Sequence, residues 1–185
     1  MKFLRSFIKN LAILVAVVLL LALINRWYLG GFQKLDVKEQ ITGPYTIAYV
    51  NFVGEYGKIW PSVTKVYDVL SGAGITSETG AGIYYDDLEV VSWAELRSDV
   101  GAVISVQDIS KLNNQDVKTT TLPAGTKIVV EFPLKNSLSY IIGPMRAYPV
   151  MAKYMKEKWY NNQVPMVELY DMAARKIYYI ADITR

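Results

Sequence analysis

The sequence predicts an α+β domain made of two tandem βαββ modules, preceded by one N-terminal transmembrane helix. Two observations predict the modules. The short runs Gly82–Asp86 (GIYYD) and Met166–Asp171 (MVELYD) resemble each other, and the strands and helices predicted around them follow the same order. A third observation, fourteen apolar residues without a break from Leu11 to Ile24, predicts the membrane helix. A βαββ module covers only one face of its sheet, so the two copies are expected to pack into one two-layer domain with a cleft between its halves.

Residues 1–29 are predicted to form a single-pass membrane anchor. With its apolar neighbours the run from Leu11 is long enough to cross a hydrocarbon layer of roughly 30 Å, and Trp27 and Tyr28 lie where an interfacial aromatic belt is expected. A cleaved secretory signal is the competing interpretation, but no small-x-small cleavage site follows the apolar run. Basic residues before the run give a weak bias for a cytoplasmic N-terminus, which favours an extracytoplasmic domain.

Charge and composition exclude several classes of function. Four of the 20 Lys and Arg residues and none of the 17 Asp and Glu residues lie in the first 30 positions, so the remainder carries 16 basic against 17 acidic residues. A near-neutral domain lacks the basic surface that nucleic-acid binding requires. The chain has no Cys and no His, which excludes a Ser-His-Asp triad, a Cys-His pair and zinc sites built from those residues. We therefore expect neither a metal ion nor another cofactor.

The first module is predicted between residues 44 and 107. The preceding residues, 30–43, are polar and contain three glycines, which indicates a linker or a first edge strand. β-branched and aromatic residues predict the strands, and apolar residues at helical spacing, with Pro61 in the first turn, predict the helix. The predicted elements are the strand Tyr45–Val53, a helix from Ile59 to Gly72, and the strands Ala81–Asp86 and Arg97–Ser105.

The second module is predicted between residues 117 and 185, after the polar joint Asp108–Lys118. Its helix contains Pro144 and Pro149, which are expected to bend or split it. The last two strands are expected to pair as a hairpin. The predicted elements are the strand Thr126–Phe132, the helix Ser137–Trp159, and the strands Met166–Tyr170 and Lys176–Ile183.

This tandem arrangement resembles the gyrase-inhibitor-like (GyrI-like) small-molecule-binding domain. The residues that carry the resemblance include the runs GIYYDDLEVVSWAELRSDVGAVI (82–104), LPAGTKIVVEF (122–132) and MVELYD (166–171), and it covers about Tyr45 to Ile183. The chain is similar in particular to the membrane-anchored branch typified by a testis-expressed animal receptor for endoplasmic-reticulum autophagy. That receptor acts through a long C-terminal tail, whereas this sequence stops at Arg185, so we do not expect the receptor role to carry over.

The resemblance implies an aromatic-lined cleft with a buried Glu that pairs with lipophilic cations, and by motif position this residue is Glu168. Alternation along a strand places Glu168 and Tyr170 on one face and Val167 and Leu169 on the other. If the aliphatic pair faces the helices, the Glu-Tyr pair faces the cleft. A carboxylate in a desolvated aromatic pocket would have a raised pKa and would favour a cation; the alternative is a solvated Glu168, or one paired with a structural Lys or Arg. The further candidate ligand-binding residues are Tyr56, Trp60 and Tyr85.

Three functions remain open at this point. The favoured one is a membrane-anchored domain that binds a small, lipophilic or cationic ligand and is not an enzyme. The second is a membrane-tethered adaptor that binds an unknown protein and no ligand. The third is a hydrolase in which Glu168, with Tyr85 or Tyr170, activates water.

Overall fold

The computed structural model describes residues 2–28, 34–112 and 116–184. The chain divides into two compact units, Met1–Lys34 and Leu35–Arg185. The first unit contains the helix α1, Lys2–Tyr28, in which Ser6–Ile24 is long and apolar enough to cross a membrane, with a mean hydropathy of 2.8. Its described side chains, from residue 6 to residue 24, are exposed. A signal sequence meets the same criteria of length and composition.

The described residues of the second unit form one eight-stranded antiparallel sheet with two α-helices. Across the sheet the strand order is β1-β6-β8-β7-β3-β4-β2-β5, so that one central strand, β3, comes from the first half of the chain and its neighbour β7 from the second. The predicted α+β fold with two βαββ halves is confirmed. The elements are β1 Val37–Thr42, β2 Tyr45–Val53, α2 Trp60–Gly72, β3 Thr79–Tyr84, β4 Arg97–Ile104, β5 Lys118–Leu122, β6 Gly125–Pro133, α3 Ser139–Glu157, β7 Met166–Asp171 and β8 Lys176–Asp182.

The differences from the predicted elements are concentrated at the edges of the sheet. Strand β1 lies in the segment 30–43, for which the sequence indicated either a linker or a first edge strand. For the six residues of β1 the structure shows an edge strand. Strand β5, which starts at the end of the predicted polar joint, was not predicted. Both strands are polar (VKEQIT and KTTTL) and lie at an edge, where one partner strand is enough and a regular apolar alternation is not required.

Helix α3 is continuous, so of the two outcomes expected at Pro144 and Pro149, a bend or a split, the split does not occur. A proline inside a helix removes one backbone hydrogen bond and disturbs the preceding turn. The buried face of α3 is not interrupted, because Gly143, Ala147, Met151 and Met155 recur every four residues and pack against the sheet. That packing holds the helix together across both prolines.

The two helices cover the same face of the sheet on either side of its centre. Helix α2 packs on β2 and β4 through Val66 and Leu70, and α3 packs on β6 and β8 through Ala147 and Met151. The central strands β3 and β7 lie between these two covered areas.

The sheet is strongly curled, because its two edges are joined by very short connections. Strand β1 at one edge is followed, after only Gly43 and Pro44, by β2 near the other edge. Such a connection spans at most about 10 Å, and the β5–β6 connection, Pro123–Ala124, makes the reverse crossing. A methyl group at Gly43 would lie 3.2 Å from the Ala124 Cα atom, so the two crossings are in contact. The face without helices is therefore concave and buries its own apolar cluster: Ile47, Ala81, Ile83, Val129, Leu169 and Ile180.

All three clusters of buried apolar side chains belong to the second unit. Their members lie between Leu35 and Ile183, and they include no residue of α1. The fragment 31–185 keeps every residue of these clusters and every strand that the structure describes, so we expect it to fold without the N-terminal helix.

Candidate functional site

Glu168 lies at the centre of the sheet, on the face that carries the helices. It is 4% exposed, and its neighbours across the strands are Gly82 on β3 and Tyr179 on β8. Because Gly82 has no side chain, the ring of Tyr84 lies directly over its backbone, 2.7 Å from the position that a Cβ atom would take. The ring of Tyr170 lies in the same way over Gly80, 3.4 Å from the corresponding position. Aromatic rings therefore fill the space above the two central strands.

Two tyrosine hydroxyl groups hold the Glu168 carboxylate. Tyr148 of α3 donates to Oε1, and Tyr170 donates to Oε2 at 2.5 Å. The hydroxyl of Tyr170 is also 3.1 Å from that of Tyr84. The buried hydroxyl of Tyr179 has no hydrogen-bond partner among the described residues. The carboxylate is thus neither solvated nor paired with a Lys or Arg in the described part of the chain, in contrast to the alternative interpretation of the sequence.

Burial raises the pKa of Glu168 to about 7, because the charged form loses its hydration. The hydrogen bonds from Tyr148 and Tyr170 favour the charged form and offset only part of this effect. Burial and the negative charge of Glu168 in turn raise the pKa of both tyrosines well above the ordinary value. At neutral pH the site therefore holds an acid close to its midpoint, surrounded by neutral phenols.

A chain of aromatic contacts connects Glu168 with the surface. The rings of Trp60 and Tyr140 are 5.4 Å apart, and Tyr140 is again 5.4 Å from Tyr170. Trp60 is 52% exposed, so the chain leads from solvent to the carboxylate. We call the following residues the aromatic cluster: Tyr56, Trp60, Tyr84, Tyr140, Tyr148, Tyr170 and Tyr179.

The two faces of β7 are not arranged as assumed from the sequence. The condition was that Val167 and Leu169 face the helices, and in the structure they face away from them. Glu168 and Tyr170 do share one face, but that face is turned towards the helices. Val167 and Leu169 point to the concave face, where Leu169 belongs to the buried cluster. The reason is that the gap over the central strands lies between α2 and α3, so the Glu-Tyr pair faces both the helices and the space between the halves.

Four of the five predicted site residues lie in or beside this arrangement, and Tyr85 does not. Tyr56 stacks edge-on against Tyr84 at 4.9 Å. Tyr85 comes after the end of β3 and donates to Asp99 Oδ2 at 2.7 Å, and Asp99 lies on the opposite face from Glu168. Tyr84 takes the position that was expected for Tyr85, because residues next to each other in a strand point in opposite directions.

Sequence reasoning missed Tyr84, Tyr140, Tyr148 and Tyr179 as site residues. Tyr148 is one of the apolar and aromatic residues that recur at helical spacing in the sequence of α3: Leu138, Ile141, Ile142, Met145, Tyr148, Met151, Tyr154 and Met155. That spacing was the one available signal that Tyr148 would reach the sheet. The position of Tyr179 depends on Gly143, since its hydroxyl lies 2.1 Å from where a Gly143 side chain would begin. That close approach has no sequence pattern of its own.

The tyrosine rings themselves occupy the gap between the helices. Two cavities in the structure lie elsewhere: one of about 410 Å³ is lined by Asn51, Ser62, Lys65 and Lys118, and one of about 320 Å³ lies on the concave face. Within the described residues, no group of three acidic side chains could hold a metal ion.

Comparisons with known proteins identify the fold. Neither the models of known families nor the curated proteins match the chain. Among solved structures, the EcmrR–DNA complex has a TM-score of 0.58 and 14% identity, covering 98% of this chain and 70% of that one. The EcmrR C-terminal domain has a TM-score of 0.56 and 15% identity, covering 81% of this chain and 96% of that one. A hydrolase from Listeria innocua has a TM-score of 0.50 and 11% identity, covering 86% and 98%. The fold is that of the GyrI-like domains.

The raised pKa of Glu168 makes stability depend on pH in a defined direction. The native state binds the proton more tightly than the unfolded chain, so the stabilisation is complete below pH 4.5 and is lost as pH rises through 7. Between pH 4.5 and pH 8, we expect the free energy of unfolding of the wild type to fall by about 2–3 kcal/mol relative to that of Glu168→Gln. Urea unfolding of residues 31–185 at pH 4.5, 6 and 8 measures it.

A suitable control for this experiment is Glu131→Gln. The Lys176 ammonium holds the pKa of Glu131 below its ordinary value, so the stabilisation from Glu131 grows as pH rises, opposite in sign to that from Glu168. A constant difference between wild type and Glu168→Gln at all three pH values would contradict a raised pKa for Glu168.

Proposed function

We propose that this domain binds a small lipophilic cation in the space between α2 and α3, with Glu168 as the negative charge and the aromatic cluster as the walls. The proposal rests on one observation: a buried carboxylate at the centre of the sheet has phenol hydroxyls as hydrogen-bond partners and no compensating cation among the described residues. We further propose that α1 anchors the domain as a single-pass membrane helix, as in the membrane-anchored GyrI-like branch.

The electrostatics of the site favour a cation over a neutral or anionic ligand. An ionised carboxylate out of water costs several kcal/mol unless a positive charge approaches it. A bound cation repays that cost, whereas a neutral molecule does not and an anion adds to it. Ring faces of Tyr84, Tyr140 and Tyr170 supply both apolar contact and cation–π attraction for a delocalised positive charge.

Ligand entry requires the rings to move, since they fill the gap between the helices. Tyr140 lies between Trp60 on the surface and Tyr170 at the carboxylate, so rotation of Tyr140 opens the shortest path. An exposed apolar side chain lies beside this entrance: the Tyr140 hydroxyl is 4.0 Å from the sulfur of Met172. This side chain fits the lipophilic body of a ligand as it enters.

The geometry supports binding better than hydrolysis. A carboxylate with a pKa near 7 is suited to accept a proton from water. In this structure, however, both of its oxygens already accept hydrogen bonds from Tyr148 and Tyr170. A catalytic water molecule would first have to displace one of these phenols.

Titration at two pH values tests the proposed function. About one tenth of Glu168 is ionised at pH 6 and about nine tenths at pH 8 if its pKa is near 7. We expect tetraphenylphosphonium to bind residues 31–185 about tenfold more tightly at pH 8 than at pH 6, with release of a proton on binding. Isothermal titration calorimetry in buffers of different ionisation enthalpy measures both quantities.

Triphenylphosphine oxide is the matched neutral ligand for this titration. It has similar rings but no net charge, so its affinity is expected to be weaker and to fall slightly, if it changes at all, as Glu168 ionises. Equal affinity of the cation at pH 6 and pH 8, or equal binding of the two compounds, would argue against Glu168 as the selecting group.

A further inference from the structure

The concave face of the sheet contains a second cavity, on the side opposite to Glu168. Its volume is about 320 Å³, at the lower end of the usual range for small-molecule pockets. It lies where the two short crossings bring the edges of the sheet together, and Thr42, next to the first crossing, is part of its wall. Seven of the eight strands contribute side chains to it.

The floor of this cavity is apolar, and its walls combine two aromatic rings with polar side chains: Gln40, Thr42, Thr79 and Asp171. Val129, Leu169 and Ile180 form the floor and are only 2–4% exposed, although no helix covers this face. Tyr45 and Tyr178 form walls and are both partly buried. The hydroxyl of Tyr45 is hydrogen-bonded to Thr42, which holds this ring in place at the cavity. A flat apolar molecule is the shape of ligand that such a surface accommodates.

The Asp171 carboxylate at one end of the cavity can accept a hydrogen bond from a ligand. Asp171 lines the cavity and accepts the Ala174 N–H at Oδ1 over 2.7 Å, while its Oδ2 atom accepts no hydrogen bond from any residue that the structure describes. Lys176, its neighbour across the hairpin, is engaged with Glu131 at 2.6 Å. The free carboxylate oxygen therefore disfavours an anion and fits a donor such as an amine or a hydroxyl.

We propose that this cavity, which we call the concave-face site, binds a small, flat, apolar molecule that carries a hydrogen-bond-donating head group. The ring system lies on Leu169 and Ile180 between Tyr45 and Tyr178, and the head group donates to Asp171. The site does not depend on the proposed function, because Leu169 and Asp171 alternate along β7 with Glu168 and Tyr170 and point to the other face. One strand thus contributes to two separate sites.

Fluorescence titration of residues 31–185 with N-phenyl-1-naphthylamine tests the concave-face site. This probe is uncharged and aromatic, has one N–H donor, and becomes brighter in an apolar environment. We expect saturable binding of one molecule, weakened at least about tenfold by Val103→Trp, which fills the cavity from its partly buried wall. Asp171→Asn is expected to weaken binding several-fold, and Glu168→Gln is expected to leave it unchanged.

The two sites are distinguished by titrating both ligands with both variants. Val103→Trp is expected to leave tetraphenylphosphonium binding unchanged, and a thermal unfolding curve checks that the variant is folded. Methyl NMR of the wild-type fragment gives an answer that needs no variant. The probe is expected to shift the methyl signals of Val103, Val129, Leu169 and Ile180. The signals of Val66 and Leu70 in α2 and of Met155 in α3, on the buried faces of the helices, are expected not to shift. Absence of saturable binding, or shifts confined to the helix side, would overturn the concave-face site; the cation proposal stands or falls separately, by its own ligand.

Discussion

Replacing Glu168 by glutamine is expected to weaken the binding of tetraphenylphosphonium to residues 31–185 by about 30-fold or more at pH 8, which corresponds to roughly 2 kcal/mol or more. The carboxylate lies in the centre of the sheet at 4% exposure, where water screens its charge poorly. A cation that enters the aromatic cluster therefore interacts with a nearly unscreened negative charge in the wild type and with a neutral amide in the variant.

Glutamine preserves the shape of the site, so the loss can be assigned to charge. Its side-chain oxygen can still accept from Tyr148 or Tyr170, and its amide can donate to the other hydroxyl, which can accept as well as donate. The same substitution at Glu131 is the matched control, because Glu131 is also a strand residue but lies on the concave face and pairs with Lys176. Calorimetry of the three proteins at pH 8 should show a loss for Glu168→Gln alone; equal affinities for wild type and Glu168→Gln would remove the cation site.

The central part of the fold was predictable because its strands have strong local signals. Strands β2, β6, β7 and β8 are rich in β-branched and aromatic residues, and the helices between them have an apolar stripe at regular spacing. The edge strands β1 (VKEQIT) and β5 (KTTTL) contain β-branched residues, but neither has a buried apolar face. Each is held by pairing with one strand that is far away in sequence. The curl of the sheet depends on two crossings of two residues each, and their effect appears only when the order of the strands is known.

The sequence predicted the charged residue of the candidate site, Glu168, but not most of the tyrosines that surround it. Glu168 was found through a motif, and its shared face with Tyr170 follows from simple alternation. Which face of β7 the helices cover depends on the whole topology, and in the structure Val167 and Leu169 lie on the face without helices, so the condition stated from the sequence is not met. Tyr85, which was predicted as a ligand-binding residue, points away from Glu168 for a related reason: a shift of one residue along a strand reverses the direction of the side chain.

The largest expected effect on stability is at Gly101 in β4, where the backbones of β2 and β4 approach each other closely. Gly101 lies opposite Tyr49 of β2 in the strand register. A methyl group on Gly101 would lie 1.9 Å from the Ala48 carbonyl oxygen and 2.9 Å from the Tyr49 Cα atom, both of them backbone atoms. Side chains can rotate away from such a contact, but the backbone of a paired strand cannot, so β2 and β4 would have to separate. We expect Gly101→Ala to lower the free energy of unfolding by about 3 kcal/mol or more.

Gly125→Ala is the matched control for this substitution. Gly125 is also a strand residue, at the start of β6, but a methyl group there would meet no atom within 4 Å. Alanine at Gly125 is expected to be neutral or to stabilise by about 0.5–1 kcal/mol, because it restricts the unfolded chain. Urea unfolding of residues 31–185 carrying each substitution compares the two. A loss below about 1 kcal/mol for Gly101→Ala would mean that β2 and β4 do not approach each other so closely. The sheet would then be less strongly curled. The cavity on its concave face, which is lined by Val103, two residues after Gly101 in β4, would be wider and more open than the structure shows.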